Sequence, residues 1–209
     1  MSDGLNARIA NVKGRLAALD DDCGDGGPEA ETALKHFESG AGVRLPQEYR
    51  AFMSAIRRLP ALFPFYGMVP LGFAAHTGFD ALAPADLAKP FPFVEEWIWE
   101  DDPDPPPPPA GWPADVPITE EMVGHGVLHL GTDGCGMVPM LIVTGARRGE
   151  VWAFTDVGIG PDTTQYDETS LRSCLFLDWV ESRIEPFSAD AKKDRNPPKW
   201  REPWWTYVK

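Results

Sequence analysis

Residues 126–154 read "GVLHLGTDGCGMVPMLIVTGARRGEVWAF". The stretch separates into an alternating run (GVLHL), a continuous apolar run (MVPMLIVT) and a third short apolar run (EVWAF), each a strand pattern. Between the last two, GARRG has the length and glycines of a hairpin connection. A continuously apolar strand implies burial on both faces, with helices covering one of them. The rest of the chain therefore has to supply covering layers.

Helical patterns lie on both sides of this segment. Leu5, Ile9, Val12, Leu16 and Leu19 recur at spacings of four and three, one face of a helix. After "DDDCGDGG", the residues Ala30, Ala33, Leu34 and Phe37 predict a second, short helix ended by "SGAG". "LPQEYRAFMSAIRR" (45–58) predicts a third. Pro46 suits its first position, Tyr49, Phe52, Met53 and Ile56 form its buried face, and Arg57 and Arg58 complement its C-terminal dipole. A last helix is expected from Thr169 or Ser170. Its two adjacent apolar rows are Leu171, Leu175, Trp179 and Phe176, Val180, Ile184, with Cys174, Asp178, Glu181 and Glu185 on the opposite side. "LFPFYGMVPLGF" (62–73) is broken by Pro and Gly and reads as short strands or extended chain. The seven prolines from Pro103 to Pro113 exclude regular structure there.

The expected fold class is α+β, a central, mostly antiparallel β-sheet packed against N-terminal helices and a C-terminal helix. The chain of 209 residues divides into an N-terminal helix with an acidic, Gly-rich linker (1–27), a main domain (28–187) with a Pro-rich insertion near 101–117, and a basic, Trp-rich tail (188–209). No apolar run approaches the ~20 residues of a membrane helix. The first residues also lack a signal-peptide pattern, so a cytoplasmic protein without a membrane partner is expected. Cys23, Cys135 and Cys174 form no disulfide framework and no Cys-x-x-Cys pair. The net charge of −13 argues against direct nucleic-acid binding, which requires a basic surface. It suits either plain solubility or attraction to a basic protein.

The strand pattern limits what the reactive side chains within "HGVLHLGTDGCG" (125–136) can do. A phosphate cradle needs glycines leading into a helix N-terminus; here a strand follows. Cys135 as nucleophile, with His125 or His129 as base, would need a helix N-terminus or an imidazolium to depress its pKa. His125 and His129 on one strand would lie ~13 Å apart, too far to share a metal, even with Asp133 or Cys135 as a third ligand. No catalytic residue, metal ligand or cofactor site is therefore assigned. A second cluster, Glu95, Glu96, Trp97, Trp99, Glu100, Asp101, Asp102 and Asp104, reads either as a solvated loop with anchored tryptophans or as an acidic face for a basic partner. Trp204 and Trp205 are expected to pack back on the body or to mark an interface.

Four segments in order resemble the SUKH superfamily of Smi/Knr-type regulators and bacterial immunity proteins. They are "FESGAGVRLPQEYRAFM" (37–53), "FPFYGMVPL" (63–71), the 126–154 stretch and "CLFLDWVESRI" (174–184). The resemblance implies the α+β fold above and a protein-binding module, not an enzyme. In bacterial members it implies neutralisation of a cognate toxin, often a basic nuclease. The Pro-rich insertion, the first helix and the tail depart from the pattern. The expected function is accordingly that of an intracellular immunity-type protein with a protein partner, which the resemblance implies is a toxin domain. The alternatives are a cysteine-dependent hydrolase or transferase using Cys135 with His125 or His129, and a scaffold or regulator without a toxin.

Overall fold

The computed structural model describes residues 2–19, 23–60, 67–71, 87–98, 112–113, 115, 120–132, 137–156, 158–162, 174–184 and 202–208. Among the described residues, five α-helices, one of them a single turn, and a six-stranded sheet in which every ladder is antiparallel make an α+β fold. In chain order these are α1 (Ser2–Ala18), α2 (Pro28–Ala41), α3 (Gln47–Ala55), β1 (Trp97–Ile98), a one-turn α4 (Glu120–Val123), β2 (Val127–His129), β3 (Val138–Ile142), β4 (Glu150–Phe154), β5 (Gly158–Pro161), β6 (Cys174–Leu175), α5 (Phe176–Ile184) and a 3-10 turn (Trp204–Tyr207). The sheet order is β1-β5-β4-β3-β2, and β6 pairs with the first residues of β4, end to end with β5.

The three predicted strands are β2, β3 and β4, and GARRG is their hairpin: Leu141 pairs with Val151, and the Gly149 N–H donates to Ile142 O at 2.8 Å. All five residues of β3 are buried, because period-2 alternation sends them into two separate clusters. Leu141, with Leu128 and Val151 of the adjoining strands, joins the core beneath the helices. Val138, Met140, Ile142 and Trp152 join a second core on the opposite face with Phe91, Phe93 and Ile159.

The helical layer follows the predicted periodicities. Ile9, Val12 and Leu16 of α1, Ala30, Leu34 and Phe37 of α2, and Tyr49, Phe52 and Met53 of α3 are all buried. Gly42, in the left-handed region at φ 66°, ends α2. Phe176 takes the edges of Tyr49 and Phe52 at 5.0 and 5.6 Å, joining α5 to α3. Trp152, Trp179, Tyr49 and Phe52 all sit in the core. The first helix shares that core with the main domain.

Local expectations needed correction at helix ends. Pro46 stands one place earlier than predicted, as N-cap, and α3 stops at Ala55. Ile56 turns extended and bridges to Asp25, while the Arg57 and Arg58 N–H groups donate to Cys23 O at 3.0 and 2.8 Å. The two arginines thus lie beyond the helix, not in its last turn. This crossing requires Gly26, since a Cβ there would lie 2.0 Å from Ser54 O. α5 begins at Phe176, not near residue 169, because Cys174 and Leu175 are taken into β6. Leu175 is exposed and Cys174 packs against the helical core, reversing the faces expected for them. Phe176, Val180 and Ile184 keep their predicted buried row. Leu171, Thr169, Ser170 and Glu185 lie outside the described residues, as do the Pro-rich run 103–109 and most of 61–86.

The tail returns to the body. Trp204 is fully buried, and its indole N–H is shared between Met53 O and Ile56 O at 3.1 and 3.0 Å. Its backbone N–H donates to Arg57 O at 3.0 Å. It therefore satisfies carbonyls that the end of α3 leaves open. Trp204→Ala is predicted to cost about 3–5 kcal/mol, read by urea denaturation of the full chain. A loss below about 1 kcal/mol, the size of an ordinary surface change, would show that the tail is dispensable.

Candidate functional site

The acidic cluster begins where the second core reaches the surface. Phe91 lies against the hairpin: its N–H donates to Thr144 O at 2.8 Å, and it bridges Gly145. Gly145, at φ 121°, has no room for a side chain, since a Cβ would meet Phe91 O at 2.8 Å. From there an aromatic ladder climbs outward. Phe91 packs edge-on to Trp152 at 5.2 Å and to Phe93 at 5.4 Å, and Phe93 stacks on Trp97 at 5.8 Å and on Trp112 at 5.4 Å. Arg147, in the hairpin tip, donates its Nε to Val94 O at 2.9 Å.

The chain between Phe93 and Trp97 is thereby pinned at both ends and bends outward. Glu95 and Glu96 are exposed on this bend and form no ion pair among the described residues. Val94 and Ile98, 45% and 47% exposed, flank them. Trp97 is half-buried and belongs to the second core. Close docking of β1 on β5 depends on glycine, because a Cβ at Gly158 would lie 2.6 Å from Ile98 Cδ1 and 2.8 Å from Trp97 O. The structure thus brings Glu95, Glu96 and Trp97 together as an acid pair beside an anchored indole. Trp99, Glu100, Asp101, Asp102 and Asp104 lie outside the described residues.

Around "GTDGCG" the strand reading holds. Leu130 N–H donates to Pro139 O at 2.9 Å and β2 pairs with β3 antiparallel, so this run joins two neighbouring strands. A strand follows it, where a phosphate cradle would need a helix. Asp133 and Cys135 themselves lie outside the described residues. The two histidines part company. His125 is not on the strand as supposed; it sits in the turn after α4, its N–H donating to Met122 O, its Nε2 3.4 Å from Lys89 Nζ. His129 is on β2, and neither of its buried ring nitrogens has a hydrogen-bond partner among the described residues. Burial pushes this imidazole down to about 4, leaving a weak base. Of the other thiols, Cys23 is buried, and burial, with Asp178 and Asp162 near, pushes Cys174 up to about 12. Among the described residues no group of three or more His, Cys, Asp or Glu is arranged to hold a metal ion. No helix among them is long and apolar enough to cross a membrane.

Comparison with protein-family models, characterised proteins and solved structures yields no match.

One signal that sequence reading missed is a groove of about 510 Å³ between α2 and the C-terminal 3-10 turn. Its two walls are some 170 residues apart in the chain, and only the return of Trp204 to α3 brings them together.

The orphaned imidazole makes a pH prediction. His129 takes up a proton near pH 6.5 when unfolded but only near 4 when folded. The unfolded state binds more protons between those values, so stability falls as pH drops from about 6.5 towards 4. The loss from this group by pH 4.5 is on the order of 2 kcal/mol. His129→Leu should shrink the difference in urea-measured stability between pH 7 and pH 4.5 by about that amount. Parallel curves for the two proteins would contradict the assignment.

Proposed function

We propose that the chain is a non-enzymatic protein-binding module, an immunity-type protein acting in the cytoplasm by occupying a basic toxin domain. The observation that carries this reading is the unpaired Glu95–Glu96 bend, flanked by exposed Val94 and Ile98 and held rigid by Phe93, Trp97 and Arg147. A preorganised patch of this kind gives up little conformational freedom on binding. Its paired acid and apolar groups suit the polar rim and apolar anchor of an interface. The net charge of −13 favours a basic partner and disfavours nucleic acid. The ordered SUKH-like segments support the immunity role, and an antiparallel sheet backed by helices agrees with what that resemblance implies.

A cysteine-dependent enzyme gains little support from the described residues, where His129 is a weak base and His125 is turned towards Lys89.

Co-expression with the toxins of neighbouring open reading frames, and affinity capture identified by mass spectrometry, test the reading directly. Reversing Glu95 and Glu96 to Lys should weaken capture at least tenfold. Both side chains are exposed, so the melting temperature should stay nearly unchanged. Binding should also fall as salt rises. A rescue from no toxin, or an affinity indifferent to both charge reversal and salt, would sink the proposal.

A further inference from the structure

We propose that the groove between α2 and the C-terminal turn is a second contact site, which receives a lysine or arginine side chain from an extended segment of a basic protein partner. One wall is the α2 stripe Glu29, Thr32, Ala33 and His36, and the other is Trp205 with Val208. Glu29 and His36 stand seven residues apart on the helix, so the groove runs ~10 Å between them. That is the span of about three extended residues.

The charge pattern selects the occupant. α2 carries three acids, of which two are satisfied within the fold. Glu31 accepts from Arg50 at 2.7 Å and lies 3.5 Å from Lys35, and Glu38 accepts from Arg50 at 3.1 Å. Among the described residues Glu29 has no such partner, and none of those lining the groove is a lysine or arginine. The Thr32 hydroxyl is spent on Pro28 O at 2.8 Å. An unneutralised carboxylate at one end of an apolar trough therefore remains.

A long basic side chain fits both features at once. Its aliphatic stem lies along Ala33 and Val208 while its charged head reaches Glu29. The Trp205 indole, held edge-on to Trp204 at 5.8 Å, offers a cation–π surface to the same head. An acidic segment would face the Glu29 carboxylate, and the one basic side chain among the described lining residues, His36, stands seven residues away along α2. A purely apolar one would leave the carboxylate desolvated and unpaired.

The inference extends the reading of the chain as a binder of basic proteins, and the two can fail separately. The full chain would be titrated with N-acetyl-Ala-Arg-Ala-amide and followed by ¹H–¹⁵N NMR. Saturable shifts are expected at the amides of Glu29, Thr32 and His36 and at the Trp205 indole, with none from N-acetyl-Ala-Glu-Ala-amide. Glu29→Gln, an exposed change, should weaken the arginine peptide at least threefold, whereas Glu95→Gln with Glu96→Gln should leave it unaltered. Equal shifts from both peptides, shifts confined to other surfaces, or an unchanged affinity in Glu29→Gln would overturn the site. A captured partner that is lost on charge reversal at Glu95 and Glu96 but is indifferent to Glu29→Lys removes the groove alone. Arginine-peptide binding in the groove of a chain that captures no protein removes the protein-binding reading alone.

Discussion

A strand whose side chains are all withdrawn from water needs an apolar layer on each of its faces. β3 is that strand, and the rest of the molecule is arranged around its double burial. On one face lie α1, α2, α3 and α5, and on the other the aromatic ladder from Trp152 through Phe91 and Phe93. The β3–β4 hairpin ties both layers to the sheet through two consecutive arginines. Arg148 donates to the Arg44 and Leu45 carbonyls between α2 and α3, at 3.0 and 2.9 Å, and Arg147 donates to Val94 O above the other face. "GARRG" is thus a turn and a two-sided clamp.

The helical layer uses its other arginines in the same way. Arg8 of α1 grips both carboxylate oxygens of Glu181 at 2.8 and 2.9 Å, reaches Asp178 of α5, and lies 3.5 Å from Glu48 of α3. The Glu181 hydrogen bonds, with Asp178 beside them, raise its pKa further above the ordinary arginine value. Glu48 in turn accepts the Leu177 N–H at 2.9 Å, supplying a carboxylate to the positive end of α5. Arg50 engages Glu31 and Glu38, and Arg183 engages Asp162. Each such pair at a half-exposed site contributes modestly, and together they link α1 to α3 and α5, and α2 to α3. Their second effect is on the surface. Guanidinium groups spent on internal contacts leave acids such as Glu29, Glu95 and Glu96 to define the outer field, and this gives a net charge of −13 a spatial meaning.

Features with a strong local period were legible in the chain: the faces of α1, α2 and α3, the three central strands and the hairpin between two of them. β1, β5 and β6 were not legible. They have two to four residues, and "GIGP" carries neither alternation nor β-branched enrichment beyond Ile159. Such strands exist because a neighbouring edge accepts them, which no local pattern records. The start of α5 was misplaced for a related reason. The apolar row through Leu175 has helical spacing, but the outer edge of β4 claims Cys174 and Leu175 first. At the candidate surface, Glu95, Glu96 and Trp97 stood out as a cluster. Whether Trp97 anchors or protrudes depended on Phe93, which stacks against it.

The sequence by itself determined the class of the fold, since amphipathic periods of 3.6 and 2 can be buried only as helices against a sheet. It also determined the acidity of the surface, because composition sets net charge whatever the fold. Tertiary structure alone decided which acids remain unpaired, which ends of helices are capped and where the groove lies. Arg8 meets Glu181 across 173 positions, and Trp204 meets Met53 across 151. Partners that distant are chosen by how the layers pack, and side chains carry no record of that until the layers have formed.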